Sequence, residues 1–294
     1  SMAKSSVPRR SALYMPGSNA RALEKARTLP ADILILDLED AVSPDAKAVA
    51  RDQVHNAVRA GFGSREVFIR VNGLDTPWGE DDIRVACAAK PGGILAPKVE
   101  TSQDIARYEA EMTKHGATPG LALWLMMETA AAILNAPDIA SMGKRPGSRV
   151  TGFVMGTNDL AKELGCRISP ARETILPYLT QCILAARANG LCILDGVYGD
   201  IKDADGLANE CEQGAALGFD GKTLIHPNQL DICNRAFAPS DLELEWARKI
   251  IAAFSRPENR DKGAISLDGR MVERLHAEQA EQLIALSDAI AAKN

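Results

Sequence analysis

The sequence predicts a (β/α)8 barrel, a TIM barrel, with a C-terminal helical appendage. Short apolar, β-branched runs recur eight times, longer segments of helical period separate them, and the alternation is complete by residue 238 of 294. The strand candidates are residues 11–15, 33–38, 67–71, 93–96, 121–127, 150–155, 191–194 and 221–225. Helical stretches between them include residues 19–29, 44–60, 102–115, 170–189 and 203–217. Ser43-Pro44 and Ser169-Pro170 each place a capping hydroxyl before a proline at the first helical position. A doubly wound open sheet is the runner-up, but it would want a Gly-rich phosphate loop after an early strand, and the sequence has none. The tail reads differently. Residues 240–255 form an amphipathic helix with Leu242, Trp246, Ile250 and Phe254 in step, 256–269 a loop, and 275–291 a second helix. The expected division is a catalytic barrel over residues 1–238 and a helical lid or oligomerisation segment over 239–294.

Apolar residues make up 46% and charged residues 25%, enough to bury a sizeable core. A net charge of −5 argues against nucleic acid or an anionic membrane as a general partner. No run approaches the ~20 apolar residues that span a bilayer. Ser1-Met2-Ala3-Lys4 shows no apolar signal segment and reads as a tag-cleavage scar, so a cytoplasmic protein is expected. The six cysteines are scattered without a Cys-x-x-Cys pair, and Cys182 and Cys192 lie in apolar runs that predict buried, reduced thiols.

In such barrels the chemistry sits at the C-terminal ends of the strands. Those positions hold Asp37-Leu38-Glu39-Asp40, Arg70-Val71-Asn72, Pro97-Lys98-Val99-Glu100, Glu128-Thr129, Gly156-Thr157-Asn158-Asp159, Asp195 and His226. Buried charges must be paired or bound to a metal, and so ionic a ring points to a site. Glu128 and Asp159 follow neighbouring apolar strands, so their carboxylates can converge. Two hard oxygen ligands suit Mg²⁺, whereas Zn²⁺ would want His or Cys nearby. Alone, Glu128 could serve a helix N-terminus and Asp159 could cap the next segment. Arg70 should point into the mouth, where a guanidinium suits a carboxylate or a developing enolate oxygen, alone or while paired with Glu39 or Asp40.

The motifs Arg10-Ser11-Ala12-Leu13-Tyr14-Met15-Pro16-Gly17, Asp37-Leu38-Glu39-Asp40-Ala41-Val42 and Gly221-Lys222-Thr223-Leu224-Ile225-His226-Pro227 resemble the citrate lyase β-subunit-like proteins. This group includes malyl-CoA and citramalyl-CoA lyases, within the HpcH/HpaI aldolase superfamily, and the likeness covers essentially the whole chain. It implies Mg²⁺ on Glu128 and Asp159, with Arg70 and Glu128 contacting substrate. The implied reaction is reversible Claisen cleavage of a β-hydroxyacyl-CoA into an acyl-CoA and a 2-oxo acid. It further implies CoA along the loops after the early strands and residues 222–227, and a homo-oligomer, a trimer or hexamer. Lyases of this group carry a C-terminal Gly-Arg-Met-Val-Asp-Arg-Pro, whose aspartate enters a neighbouring subunit's site as acid/base. Here it reads Gly269-Arg270-Met271-Val272-Glu273-Arg274-Leu275, which makes Glu273 the candidate catalytic carboxylate. Thr157-Asn158 stands where many relatives show Ala-Glu, a change beside the metal position. Two other readings compete: an aldolase or thioesterase on a non-CoA or carrier-bound substrate, and a non-catalytic subunit that binds CoA or organic acids.

Overall fold

The computed structural model describes residues 6–293, so the Ser1-Met2-Ala3-Lys4 start lies outside the described residues. The chain forms two compact units, Arg9–Phe237 and a second built mainly from Ala238 onward. In the first, eight runs of apolar residues become strands β1 (Ser11–Pro16), β2 (Ile33–Asp37), β3 (Glu66–Arg70), β4 (Gly93–Ala96), β5 (Ala122–Met127), β6 (Val150–Met155), β7 (Cys192–Asp195) and β8 (Gly221–Leu224). All neighbours are parallel, and pairing of Ser11 with Lys222 closes the ring into the expected (β/α)8 barrel. Helices α1 (Ala20–Lys25), α2 (Lys47–Ala60), α3 (Gly79–Ala89), α4 (Ser102–Lys114), α5 (Ala130–Leu134), α6 (Ala136–Ser141), α7 (Thr157–Leu164), α8 (Leu176–Ala188), α9 (Ala204–Leu217) and α10 (Leu230–Ala236) connect the strands and follow the last.

Strands covered on both faces read as continuous hydrophobic runs, yet the pleat still sorts them. Ile33, Ile35, Phe68, Leu95, Trp124, Met126 and Val154 fill one cluster inside the barrel. Their alternates Leu34, Leu36, Ile69, Ile94, Leu123, Leu125 and Phe153 belong to the larger cluster that includes the helices. Phe68 stacks on Trp124 at 4.0 Å between ring centroids. That stack needs glycine beside it, because a Cβ on Gly93 would stand 2.4 Å from the Phe68 ring and one on Gly152 2.7 Å from Trp124. Among the described residues, no helix is long and apolar enough to cross a membrane. Cys182 and Cys192 are buried and free, and burial pushes the Cys182 thiol up to about 12.

Two helix starts differ from expectation. Ser43 makes no capping bond, and a short 3-10 turn precedes α2. Ser169-Pro170 starts no helix at all. α8 begins at Leu176 with Pro177 in its first turn, because Arg172 adopts a left-handed φ of 58° that sends its guanidinium into the interior. There it meets both oxygens of Asp195 at 2.9 Å.

The second unit holds α11 (Asp241–Phe254), β9 (Ala264–Leu267), β10 (Arg270–Glu273) and α12 (Arg274–Ala291). Ser240 and Glu243 cap α11 reciprocally. The expected stripe is half right: Ile250 and Phe254 are buried, but Leu242 is exposed, and Leu244 and Ala247 fill the inner face instead. The expected loop over 256–269 contains a strand. β9 and β10 pair antiparallel across Asp268-Gly269, both at positive φ (50° and 78°), a two-residue hairpin turn.

Candidate active site

The C-terminal ends of the barrel strands surround a cavity of about 360 Å³ lined by Tyr14, Asp37, Asp40, Arg70, Met126, Glu128, Gly156, Thr157, Asn158, Asp159, Val197, Thr223 and Ile225, among others. Arg70 is the last residue of β3 and Asp37 the last of β2, and their strand register sets them side by side. Arg70 donates from Nε and Nη2 to the two Asp37 oxygens at 2.8 and 2.7 Å, while Nη1 lies 3.6 Å from Glu39 Oε1. Its guanidinium also stacks on the Tyr14 ring at 4.7 Å. Burial opposes an Asp37 charge, but Arg70 and the N–H groups of Glu39 and Ala41 override it and hold the carboxyl below its usual range. The ion-pair partner is thus Asp37 first and Glu39 second, not Asp40.

Glu128 follows β5 directly and is 1% exposed. Its Oε2 accepts the Lys98 N–H at 2.7 Å, and its buried Oε1 meets no donor among the described residues. Burial first, and the adjacent Asp159 carboxylate second, push Glu128 up to about 8. Asp159 lies in the first turn of α7, and Lys98 Nζ approaches its Oδ2 to 3.9 Å. Gly156 lets the two elements close up, since a Cβ there would stand 2.5 Å from Glu128 Cβ. The structure brings the Glu128 and Asp159 carboxyls close enough for Asp159 to shift Glu128. An unpartnered buried carboxylate oxygen facing a second carboxylate, in an all-oxygen donor set, fits a hard divalent cation.

Glu39 is pushed up to about 7 by burial first, with Asp40 and Asp37 adding to the shift and Arg70 opposing it. Lys98 adopts a left-handed φ of 52°, which in a non-glycine residue costs about 1–3 kcal/mol. That conformation aims its N–H at Glu128. Nothing in the sequence marks it, because the residue is not one that favours positive φ.

Other residues of the predicted ring serve the fold. Asp195 and Lys222 are fully buried; Lys222 Nζ donates to Asp195 at 3.1 Å and to Glu210 at 2.5 Å, which withdraws Lys222 from any CoA contact. Asn72 Nδ2 donates to Leu38 O and Asp82, and Glu100 accepts from Thr129 Oγ1. His226 caps a short turn through Nδ1, which accepts the Asn228 N–H. Glu273 belongs to the second unit, where it is exposed at the start of α12 and its N–H donates to His276 Nδ1 at 2.8 Å. Glu80, Glu111 and His115 form a separate cluster on α3 and at the end of α4, where the Lys114 ammonium already meets Glu80 at 2.8 Å.

A closed parallel barrel with carboxylates and an arginine gathered at its C-terminal rim has the arrangement of the (β/α)8 barrel enzymes, whose active sites lie at that face. Residues 10–227 match the HpcH/HpaI aldolase/citrate lyase family, and the chain belongs to it. It is 50% identical to a (3S)-malyl-CoA thioesterase of Cereibacter sphaeroides over 292 residues, 99% of each chain. It is 32% identical to the citrate lyase subunit beta of Leuconostoc mesenteroides subsp. cremoris over 96% of this chain and 94% of that one. Among solved structures, it resembles CitE from Mycobacterium tuberculosis in complex with magnesium, acetoacetate and coenzyme A, with a TM-score of 0.77, 26% identity, and coverage of 98% and 100% of the two chains.

Proposed function

We propose that this protein is a Mg²⁺-dependent enzyme acting on the CoA thioester of a 3-hydroxy dicarboxylic acid of the malyl-CoA kind, with thioester hydrolysis as its net reaction. The observation that carries the cation is the buried, unpartnered Oε1 of Glu128 beside Asp159. Support for the cation's identity comes from the CitE structure with magnesium. Glu128 and Asp159 would hold it. When bound, it would act as a Lewis acid toward the substrate's oxygens. Arg70 presents a guanidinium that Asp37 and Tyr14 hold rigid, so negative charge developing on an oxygen meets a preorganised fork. Glu39, at about 7, is the group poised to take a proton near neutral pH. In hydrolysis, the oxygen of water adds to the thioester carbon, the carbon–sulfur bond breaks, and CoA leaves as its thiol. Likeness to the thioesterase at 50% identity over nearly the full length supports this outcome.

Carbon–carbon cleavage to an acyl-CoA and a 2-oxo acid is the second reading, favoured by the 32% identity to a citrate lyase subunit. Against it stands Glu273 where the lyases this chain resembles carry an aspartate. Incubation with Mg²⁺ and malyl-CoA, with products identified by mass, separates the two. Malate and free CoA mean hydrolysis, whereas acetyl-CoA and glyoxylate mean cleavage. Unchanged malyl-CoA would sink both.

A further inference from the structure

We propose that the Lys98 ammonium is the resident counter-cation of the Glu128–Asp159 pair, and that it moves onto the substrate's free carboxylate once a divalent cation is seated. This rests on the cation site proposed above. Both halves of Lys98 face that pair: the backbone N–H lies 2.7 Å from Glu128 Oε2 and the ammonium 3.9 Å from Asp159 Oδ2. Glycine would adopt a φ of 52° without strain and aim the N–H equally well. What lysine adds at this strained position is its charge.

Of the three cations Arg70, Lys47 and Lys98, the last is also the one whose side chain no hydrogen bond fixes in place. Arg70 is clamped by Asp37, and Lys47 donates to the Leu38 and Glu39 carbonyls at 3.0 Å each. The Lys98 side chain is 56% exposed, and its contact with Asp159 is longer than a hydrogen bond. A divalent cation on Glu128 and Asp159 would repel the ammonium and satisfy the charge it had balanced. An anionic substrate entering a rim that is still rich in carboxylates would attract it. Lys98 is therefore a positioning residue whose loss acts with opposite sign on the two ligands. The cation gains by losing a competitor, and the substrate's free carboxylate loses a partner.

Calorimetric titration of the full-length protein with MgCl2, without substrate, reads the first effect. Lys98→Met should bind Mg²⁺ roughly fivefold or more tightly, the factor that one unit charge exerts at about 4 Å under water-like screening. Lys98→Arg should stay close to wild type. At saturating Mg²⁺, titration with malate, a dicarboxylate probe, should show weaker binding to Lys98→Met by a similar factor. If Lys98→Met does not fold, Lys98→Gln makes the same test. Unchanged or weaker Mg²⁺ binding in the charge-free variant overturns the proposal, and so does unchanged malate binding. Wild-type protein that binds no Mg²⁺ would instead remove the cation site itself, a result visible before any variant is made.

Discussion

Glu128 is placed against the interest of the fold: a buried carboxylate oxygen without a partner destabilises the protein until something binds it. Glu128→Gln should therefore raise the melting temperature of the Mg²⁺-free protein, by about 2–4 °C for each kcal/mol relieved. The same change should lower turnover by more than about a hundredfold if the carboxylate holds the cation. Calorimetry and a product assay read the two effects, and a variant that is both active and no more stable would end the assignment. Arg70→Lys should cut kcat by about a hundredfold with little change in KM, because an ammonium cannot hold both Asp37 oxygens and still present a fixed fork. Asp195 behaves in the opposite sense to Glu128. Burial alone would raise it, but Lys222 and Arg172 override burial and hold it below the usual 3.8. Stability from a depressed carboxyl is present above that ordinary value and is lost as pH falls through the folded one. Asp195→Asn should thus cost about 3–5 kcal/mol in urea unfolding at neutral pH, with the difference shrinking in acid. The positions of Arg70, Glu128 and Asp159 are legible in the sequence because each lies at or just past the end of an apolar strand, and strand ends are the mouth of such a barrel. Asp195 also ends a strand, as expected, but its carboxylate is held by Lys222 and by Arg172, a side chain 23 residues earlier that no local pattern links to it.

The junction of β6 and α7 carries the most demanding packing at the site. Gly156 lies where any Cβ would press on Glu128, and the next three residues start the helix that bears Asp159. Gly156→Ala should leave the barrel folded but push the two carboxylates apart, weakening Mg²⁺ binding roughly tenfold. Titration calorimetry checks this, and unchanged affinity would mean that the junction relaxes freely. The barrel elements were readable because eight apolar runs at regular spacing leave few other topologies. Starts and turns were less so. Ser169-Pro170 offers a helix start, and a tertiary contact made by Arg172 moves the actual start to Leu176. The hairpin had its local signal in Asp268-Gly269. Its strands are four residues each and mostly exposed, too short and polar to show a periodic pattern.

At the scale of the molecule, the question is what the second unit contributes. The barrel closes its ring of strands within Arg9–Phe237, and α11, β9, β10 and α12 have a small core of their own around Ala247, Ile250, Phe254, Ile265 and Val272. Leu242 and Met271 remain 78% and 75% exposed on that unit, apolar surface that suits a subunit contact. Closed symmetric association is the commonest way to cover such surface. The proposal is a homo-oligomer, a trimer or a multiple of it by family resemblance, in which the unit brings Glu273 to a neighbouring active site. A chain ending at Phe237 should then keep the far-ultraviolet signature of a barrel but lose assembly and activity together. Glu273→Gln should keep assembly and lower kcat, because Glu273 is exposed and the change keeps its size while removing its charge. Light scattering alongside a product assay distinguishes the outcomes. A monomeric wild-type protein at working concentration, or full activity in Glu273→Gln, would leave the second unit without a role in catalysis.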